Sequence, residues 1–272
     1  MIAQTYEHHL ELREDKFCPF KFKSCDDVYN SVCNWHNNIE LLLVTGGSGR
    51  IQYGTDDFPI EEHDIIIVNS DSLHRVYSDS GVSFTYVIID ESFCLENGVG
   101  TKSRSFERRF KNDKVETMLL ASHALFDGYK RESTPINAAR LRVSVLALLI
   151  ELCDRYATAA DVSGRLHSAS EKYVKVALEY LAENYADPIS LEEIAARCGV
   201  TKYHLARVFK VYTGDTIFRY VNILRCKRAE ACISSGMTVT EAARECGFES
   251  PSYFSRTYKR LMGKVPSAEK EK

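Results

Sequence analysis

The 272 residues, of which 44% are hydrophobic and 27% charged, exceed the needs of one ordinary core and are typical of a two-domain globular protein. The net charge of −3 conceals an asymmetry: residues 1–170 carry 18 basic and 25 acidic side chains, and residues 197–264 carry 13 and 5, which predicts a C-terminal polyanion-binding module. The sequence shows no secretory signal pattern and no apolar run of about 18 residues, which predicts a cytoplasmic protein without a membrane span. None of the nine cysteines forms a C-x-x-C pair, so we expect neither a disulfide framework nor a zinc site.

The first 100 residues contain β-branched apolar runs separated by Gly, Asp, Asn and Ser turn signals. These runs are residues 39–46, 50–55, 64–70 and 82–90. Their spacing predicts a small β-sandwich or β-barrel. After Asp113 the apolar spacing becomes helical, over residues 115–129 and 137–156.

One apolar stripe runs along the second of these helices. It consists of Leu141, Val145, Leu148, Leu149, Leu152 and Tyr156. The stripe either packs against its own domain or forms a dimer interface. In the dimer interpretation, replacing Leu148 and Leu152 with Glu gives a folded monomer.

Residues 161–170 are small and polar and are expected to form a linker. The predicted domains are therefore residues 1–160 and 171–272.

The C-terminal third contains an internal repeat. Residues 193–199 (EIAARCG) and 241–247 (EAARECG) share Glu, Ala, Cys and Gly at an offset of 48 positions. Alanine lets two helices cross closely, and glycine can adopt the left-handed conformation of a tight turn. A helix start follows each glycine, at Thr201 and at Ser250 with Pro251. This pattern predicts two helix-turn-helix units, whose second helices enter the major groove.

Between the two units, residues 215–234 contain neither Gly nor Pro. As a helix rising about 1.5 Å per residue, this segment spans roughly 30 Å. Successive major-groove faces of DNA are about 34 Å apart, so one domain could present both second helices to adjacent grooves. The alternative is a plain helical bundle, which would show the same amphipathic pattern. The repeat, the caps, the spacer length and the basic charge occur together here, and this combination favours two helix-turn-helix units.

Residues 170–268 resemble the DNA-binding domain of the AraC/XylS regulators. The resemblance rests on LEEIAARCGVTKYHLARVFKVYTG (191–214), the R-x-x-R-A stretch at 225–229 and EAARECGFESPSYFSRTYKRLMGKVP (241–266). Two departures are Cys226, where an aliphatic residue is usual, and SAEK after Pro266 in place of Tyr-Arg. Neither departure falls on a position that faces the groove.

The resemblance also implies which side chains contact double-stranded DNA. They are Tyr203, Ala206, Arg207 and Lys210 in the first unit, and Ser252, Ser255, Arg256 and Lys259 in the second. Arginine can bind guanine O6 and N7 together, serine can donate or accept, alanine can touch a thymine methyl, and lysine neutralises phosphate. The alternative for Arg207 and Arg256 is an ion pair with an acidic neighbour.

Residues 35–78 resemble the cupin sensor domains that precede this DNA-binding domain in many regulators. Where metal-binding cupins have two His and a Glu followed by another His, this chain has Asn34, His36, Glu40 and His74. Strand alternation would direct residues 34, 36, 38 and 40 into the barrel. In the second motif, His63, Asn69 and Asp71 replace Gly, Pro and Gly.

These departures favour a pocket for a small organic effector, such as a sugar, over a metal site. The candidate effector-binding residues are His36, Glu40, His74, Trp35, Tyr53 and Tyr86. Polar groups beside aromatic walls suit such a ligand. Alternatively, His36 and Glu40 satisfy each other and no effector exists.

The sequence thus predicts an α+β protein: a cupin-like β-barrel with following helices, then an all-α domain with two helix-turn-helix units. We expect a homodimeric, non-enzymatic transcription regulator without a cofactor, with activation through contact with RNA polymerase as one way for it to act. The alternatives are a metal-dependent cupin enzyme or metal sensor with a DNA-binding tail, and a regulator without an effector.

Overall fold

A computed structural model describes residues 17–159 and 169–267, which form two compact units. The N-terminal unit contains β1 (Phe20–Asn30), β2 (Ile39–Tyr53), β3 (Asp56–Glu61), β4 (Ile65–Val68), β5 (His74–Ile89), α1 (Glu91–Glu96), β6 (Arg104–Phe106), β7 (Arg109–Phe110), α2 (Asp113–Arg131), α3 (Pro135–Tyr156) and β8 (Ala157–Ala159). The C-terminal unit contains α4 (Ala169–Asn184), α5 (Leu191–Arg197), α6 (Lys202–Thr213), α7 (Ile217–Ser234), α8 (Val239–Glu245) and α9 (Pro251–Met262). Most of the expected linker, residues 161–168, lies outside the described residues.

The main sheet of the N-terminal unit is antiparallel and has the order β1-β5-β2-β4-β7, with β3 paired to β2, and β6 pairs with β8 in a second, two-stranded sheet. Strands β2 and β5 are long and pair with each other twice, once at each end of β2. Register shifts separate the two stretches, so the sheet bends there. The runs 39–46 and 50–55 therefore belong to one strand, β2, and not to two as the sequence suggested. The result is a cupin-like domain.

The two faces of the sheet bury different sets of side chains. On β2, Ile39, Leu41 and Leu43 pack toward the helices, whereas Leu42 and Val44 point into the interior formed by the curled sheet. Glu40 lies between Ile39 and Leu41 on β2, so its side chain is on the opposite face from theirs and shares the interior face with Leu42.

The apolar stripe of α3 lies in this core. Leu141, Val145, Leu148, Leu149 and Leu152 are fully buried in the cluster between the sheet and the helices. The dimer interpretation of the stripe is therefore wrong. Glutamate at position 148 or 152 would place a charge in the core rather than give a folded monomer.

The C-terminal unit consists of helices and contains both predicted helix-turn-helix units, α5–α6 and α8–α9. The side chain of Thr201 accepts a hydrogen bond from the backbone N–H of His204, and that of Ser250 from Tyr253, so both predicted caps are confirmed. Helix α7 is 18 residues long and begins at Ile217 because Thr216 caps it. It spans about 27 Å. Among the described residues, no helix combines the length and apolarity that crossing a membrane requires.

Candidate DNA interface and effector site

The first predicted recognition helix, α6, has one buried face and one open face. Leu205, Val208 and Phe209 are buried in the unit. On the opposite side, Tyr203 is 78% exposed, Arg207 and Lys210 are exposed, and Ala206 is half-buried. The predicted contact residues of the first unit therefore share the open face.

The second recognition helix, α9, repeats this arrangement. It buries Phe254, Thr257 and Tyr258. The four predicted contact residues are all exposed, namely Ser252, Ser255, Arg256 and Lys259. In both units, the residues at the predicted contact positions thus lie on the solvent-exposed side of the second helix.

Ion pairs hold several other basic residues of the C-terminal unit. Arg197 pairs with Glu193, Lys202 with Glu192, Arg219 with Asp215 and Lys264 with Glu230. Within residues 17–159 and 169–267, no acidic partner lies within ion-pair distance of Arg207, Lys210, Arg256 or Lys259. The alternative role for the two arginines, a surface ion pair, is not realised among these residues.

Arg225 is a structural residue whose role the sequence did not indicate. Its Nε–H donates to the carbonyl oxygen of Tyr185 at 2.6 Å, and its NH2 group donates to that of Asp187 at 2.9 Å. The guanidinium also lies over the ring of Phe248, which follows the turn of the second unit. Arg225 therefore joins α7 to the loop between α4 and α5 and to the second helix-turn-helix. The R-x-x-R-A stretch gave its position, but not its carbonyl partners.

Inside the N-terminal unit, His36, Glu40 and His74 meet in one buried cluster. Oε2 of Glu40 lies 3.0 Å from Nε2 of His36 and 3.2 Å from Nε2 of His74. The three residues are only 1%, 4% and 6% exposed, respectively. Burial opposes ionisation of Glu40, but hydrogen bonds and charge interactions with both histidines outweigh it and lower its pKa from 4.5 to about 2.

Backbone carbonyl groups orient both imidazole rings. Nδ1 of His36 lies 3.0 Å from the carbonyl oxygen of Asn38, and Nδ1 of His74 lies 3.0 Å from that of Ser72. Both Nε2 atoms consequently point at Glu40. Sequence reasoning missed these carbonyl groups, since no side chain marks them.

The other predicted effector residues are arranged differently. The hydroxyl of Tyr53 donates to the carbonyl oxygen of Ile67 at 2.9 Å, and Tyr86 lies in the apolar interior beside Phe84. Trp35 is half-buried. Residues 35–38 precede the strand β2, so alternation along a strand does not explain how His36 enters the interior.

The second cupin motif keeps its backbone shape although its glycines are replaced. His63 and Asp71 have φ angles of 68° and 66°, the left-handed conformation that glycine adopts most readily. Asn69, at the proline position, accepts from the backbone N–H of Phe106 and donates to its carbonyl oxygen. The departures in the sequence therefore did not remove the turns.

Two family models match the chain. An AraC-like ligand binding domain matches residues 25–170, and a helix-turn-helix domain matches residues 194–272.

Relatives match along most of the chain. An uncharacterised HTH-type transcriptional regulator, YbfI of Bacillus subtilis, is 31% identical over 227 residues, which are 81% of this chain and 80% of that protein. The HTH-type transcriptional activator RhaS of Pectobacterium carotovorum is 23% identical over 252 residues, or 86% of each chain. Among solved structures, ToxT of Vibrio cholerae bound to (E)-4-(8-methylnaphthalen-1-yl)but-3-enoic acid has a TM-score of 0.50 at 15% identity, covering 92% of this chain and 97% of that one.

Proposed function

We propose, because the chain belongs to the AraC family of transcription regulators, that its two recognition helices read adjacent major grooves of one operator. The observation that supports this proposal is the set of exposed basic residues on α6 and α9. Arg207 and Arg256 are exposed at equivalent positions in the middle of α6 and α9, and each guanidinium suits a bidentate contact with guanine. Lys210 and Lys259 lie one turn further along and suit phosphate contacts.

The test replaces each arginine separately and measures binding to an operator selected in vitro. Arg207→Ala and Arg256→Ala are each expected to cost roughly 1–3 kcal/mol and to relax base preference in different grooves. Arg197→Ala is the matched control, because Arg197 belongs to the same unit but is held by Glu193 and lies over the ring of Tyr180. If both variants bind the operator as tightly and selectively as the wild type, the groove assignment is wrong.

We propose further that the N-terminal domain binds a small organic effector, a sugar being the first candidate, at the cluster of His36, Glu40 and His74. The match to a ligand-binding domain supports an effector, and the cluster is a polar group inside an otherwise apolar interior. The similar ToxT structure holds a carboxylic acid ligand.

The effector proposal is tested on DNA binding with and without candidate ligands, from a thermal-shift screen of sugars and carboxylic acids. His36→Ala or Glu40→Ala is expected to abolish the response to a ligand while DNA affinity without ligand stays unchanged. Loss of both functions together would mean that these residues only stabilise the barrel. Ligand-dependent change in operator affinity is allostery only if the ligand binds the two DNA-binding states unequally.

We also propose a homodimer through the solvent side of α3, which differs from the stripe that the sequence suggested. Ile136, Val143 and Ile150 are 59%, 68% and 50% exposed. Seven-residue spacing places them on one face of the helix. Because the outer two lie equally far from Val143, an antiparallel pair of α3 helices would match Val143 with itself across a twofold axis. Activation through RNA polymerase stays a prediction.

A further inference from the structure

The carboxylate oxygen of Glu40 lies at the separation expected for two ligands of one metal ion from a nitrogen of His36 and from a nitrogen of His74. The two Glu–His contacts are 3.0 and 3.2 Å long, and the three donor atoms all lie within 4.8 Å of one another. Ligands about 2.0–2.2 Å from one ion in tetrahedral or octahedral geometry are about 3.0–3.5 Å apart. We propose that His36, Glu40 and His74 bind one divalent first-row transition-metal ion, around which the effector site is built.

Hydrogen-bond accounting supports a cation at this position independently of the distances. The carbonyl oxygens of Asn38 and Ser72 only accept, so Nδ1 of each ring must carry the hydrogen. In a neutral imidazole, Nε2 is then a bare lone pair. Both Nε2 atoms face a carboxylate oxygen of Glu40, which also only accepts, so each contact needs a positive charge between its two atoms. That charge is either a proton on each Nε2, as in the hydrogen bonds described above, or one metal ion shared by the three atoms.

The competing explanation is that both rings are protonated and no metal binds. This arrangement places two imidazolium ions and one carboxylate where all three side chains are almost inaccessible to water. Burying three charges carries a large desolvation cost, which two short contacts to one carboxylate oxygen offset only in part. Neutral imidazole whose second nitrogen donates to a carbonyl group is the usual state of a metal-binding histidine.

The ligand set selects the class of metal. Two imidazole nitrogens and one carboxylate suit zinc, iron or nickel, whereas calcium and magnesium prefer oxygen ligands alone. Three protein ligands leave at least one coordination position for a hydroxyl or carboxylate oxygen of an effector.

The sequence favoured a pocket without metal because the second motif lacks its glycines. The left-handed backbone at His63 and Asp71 weakens that argument. The role that we assign to the metal, building the effector site, rests on the proposed effector function. Metal binding itself is measured without effector or DNA.

The experiment uses the untagged full-length protein, stripped with a chelator and titrated with Co²⁺ as a spectroscopic probe. We expect one equivalent to give a visible d–d absorption band, and Zn²⁺ to displace it. His36→Ala, His74→Ala and the nearly isosteric Glu40→Gln should each weaken Co²⁺ binding more than about 100-fold, because loss of even an outer partner of a ligand costs 10–100-fold. His63→Ala is the matched control, since His63 is exposed and pairs with Glu116 outside the cluster.

Two outcomes would overturn the inference. One is the absence of stoichiometric Co²⁺ and Zn²⁺ binding by wild-type protein, and the other is unchanged affinity in His36→Ala and Glu40→Gln. Thermal unfolding followed by the fluorescence of Trp35, the one tryptophan in the sequence, shows whether the N-terminal unit of each variant is folded, and Glu40→Gln keeps the size of the side chain should the alanine variants unfold. A wild-type protein that binds DNA and responds to an effector without binding metal contradicts this inference alone. The effector proposal fails separately if no ligand changes operator affinity.

Discussion

Some of the proposed DNA-contacting residues would contact base edges and others would contact phosphates, and the two groups should differ in binding experiments. Lys210 is exposed on α6 next to the recognition positions, where its ammonium group suits a phosphate rather than a base edge. We expect Lys210→Ala to weaken operator and random DNA alike. The slope of log K against log salt should fall by about one, since one phosphate contact releases about one counterion.

Affinities measured at several salt concentrations on both kinds of DNA check this prediction. Lys111→Ala is the control, because Lys111 pairs with Glu61 at 2.8 Å in the other unit. An unchanged slope for Lys210→Ala, or a loss confined to the operator, would contradict a phosphate contact.

The resemblance to the AraC/XylS regulators indicated these residues, and helix periodicity and caps, which are local properties, account for their exposure. Thr201 and Ser250 determine where α6 and α9 begin, and the buried apolar positions then decide which side is open. The surroundings of Glu40 could be predicted only in part. The motif gave its two histidines, but the carbonyl groups that orient them, and the bond of Tyr53 to Ile67, depend on long-range strand pairing.

At the level of elements, the two helix-turn-helix turns provide a matched pair of glycines. Gly199 and Gly247 have φ angles of 66° and 82° and occupy equivalent positions of the repeat. A Cβ at Gly199 would meet no atom within 4 Å, whereas a Cβ at Gly247 would lie 2.2 Å from the carbonyl oxygen of Ala186. Both replacements strain the backbone, but only one forces the second unit away from the α4–α5 loop.

We expect Gly199→Ala to destabilise the C-terminal unit by about 1–2 kcal/mol, the cost of a left-handed alanine. Gly247→Ala should cost at least about 1 kcal/mol more, because the added carbon is overpacked against backbone. Thermal unfolding followed by helical circular dichroism measures both. The fluorescence of Trp35, the one tryptophan in the sequence, reports on the N-terminal unit and should not change. Equal losses for the two variants would show that the close approach to Ala186 is unimportant.

Helix α3 shows why an amphipathic pattern alone cannot distinguish a core face from a dimer surface. Its apolar stripe is long enough for either a core or an interface, and burial at Leu148 assigns it to the core. On the opposite face, Val143→Glu should leave the domain folded but abolish the proposed dimer, because it places like charges at the twofold axis. Leu148→Glu should instead unfold the domain.

Sedimentation at tens of micromolar, with circular dichroism to verify folding, decides this prediction. A wild-type protein that sediments as a monomer would refute the dimer. A dimeric Val143→Glu variant would place the interface elsewhere.

For the whole molecule, the contrast between a β-rich half and a helical half was predictable, because the period of the apolar residues changes along the chain. The joining of two predicted strands into β2 was not. Its continuation depends on pairing with β5 on both sides of the bend, and such pairing is absent from local sequence. The linker interpretation and the proposed boundaries, residues 160 and 171, stay predictions.

The C-terminal unit should fold and bind DNA by itself. Its buried residues, including Leu205, Phe209 and Phe254, are packed among its own helices, and Arg225 fixes the second helix-turn-helix to the α4–α5 loop. We expect isolated residues 169–272 to give a cooperative helical unfolding transition and to protect two adjacent major grooves in a footprint. Arg207→Ala should weaken protection in one groove and Arg256→Ala in the other. Affinity should be lower than for the proposed full-length dimer at paired sites, because tethering provides effective concentration. An unfolded fragment, or protection of a single groove, would mean that the second unit needs the N-terminal half to reach DNA.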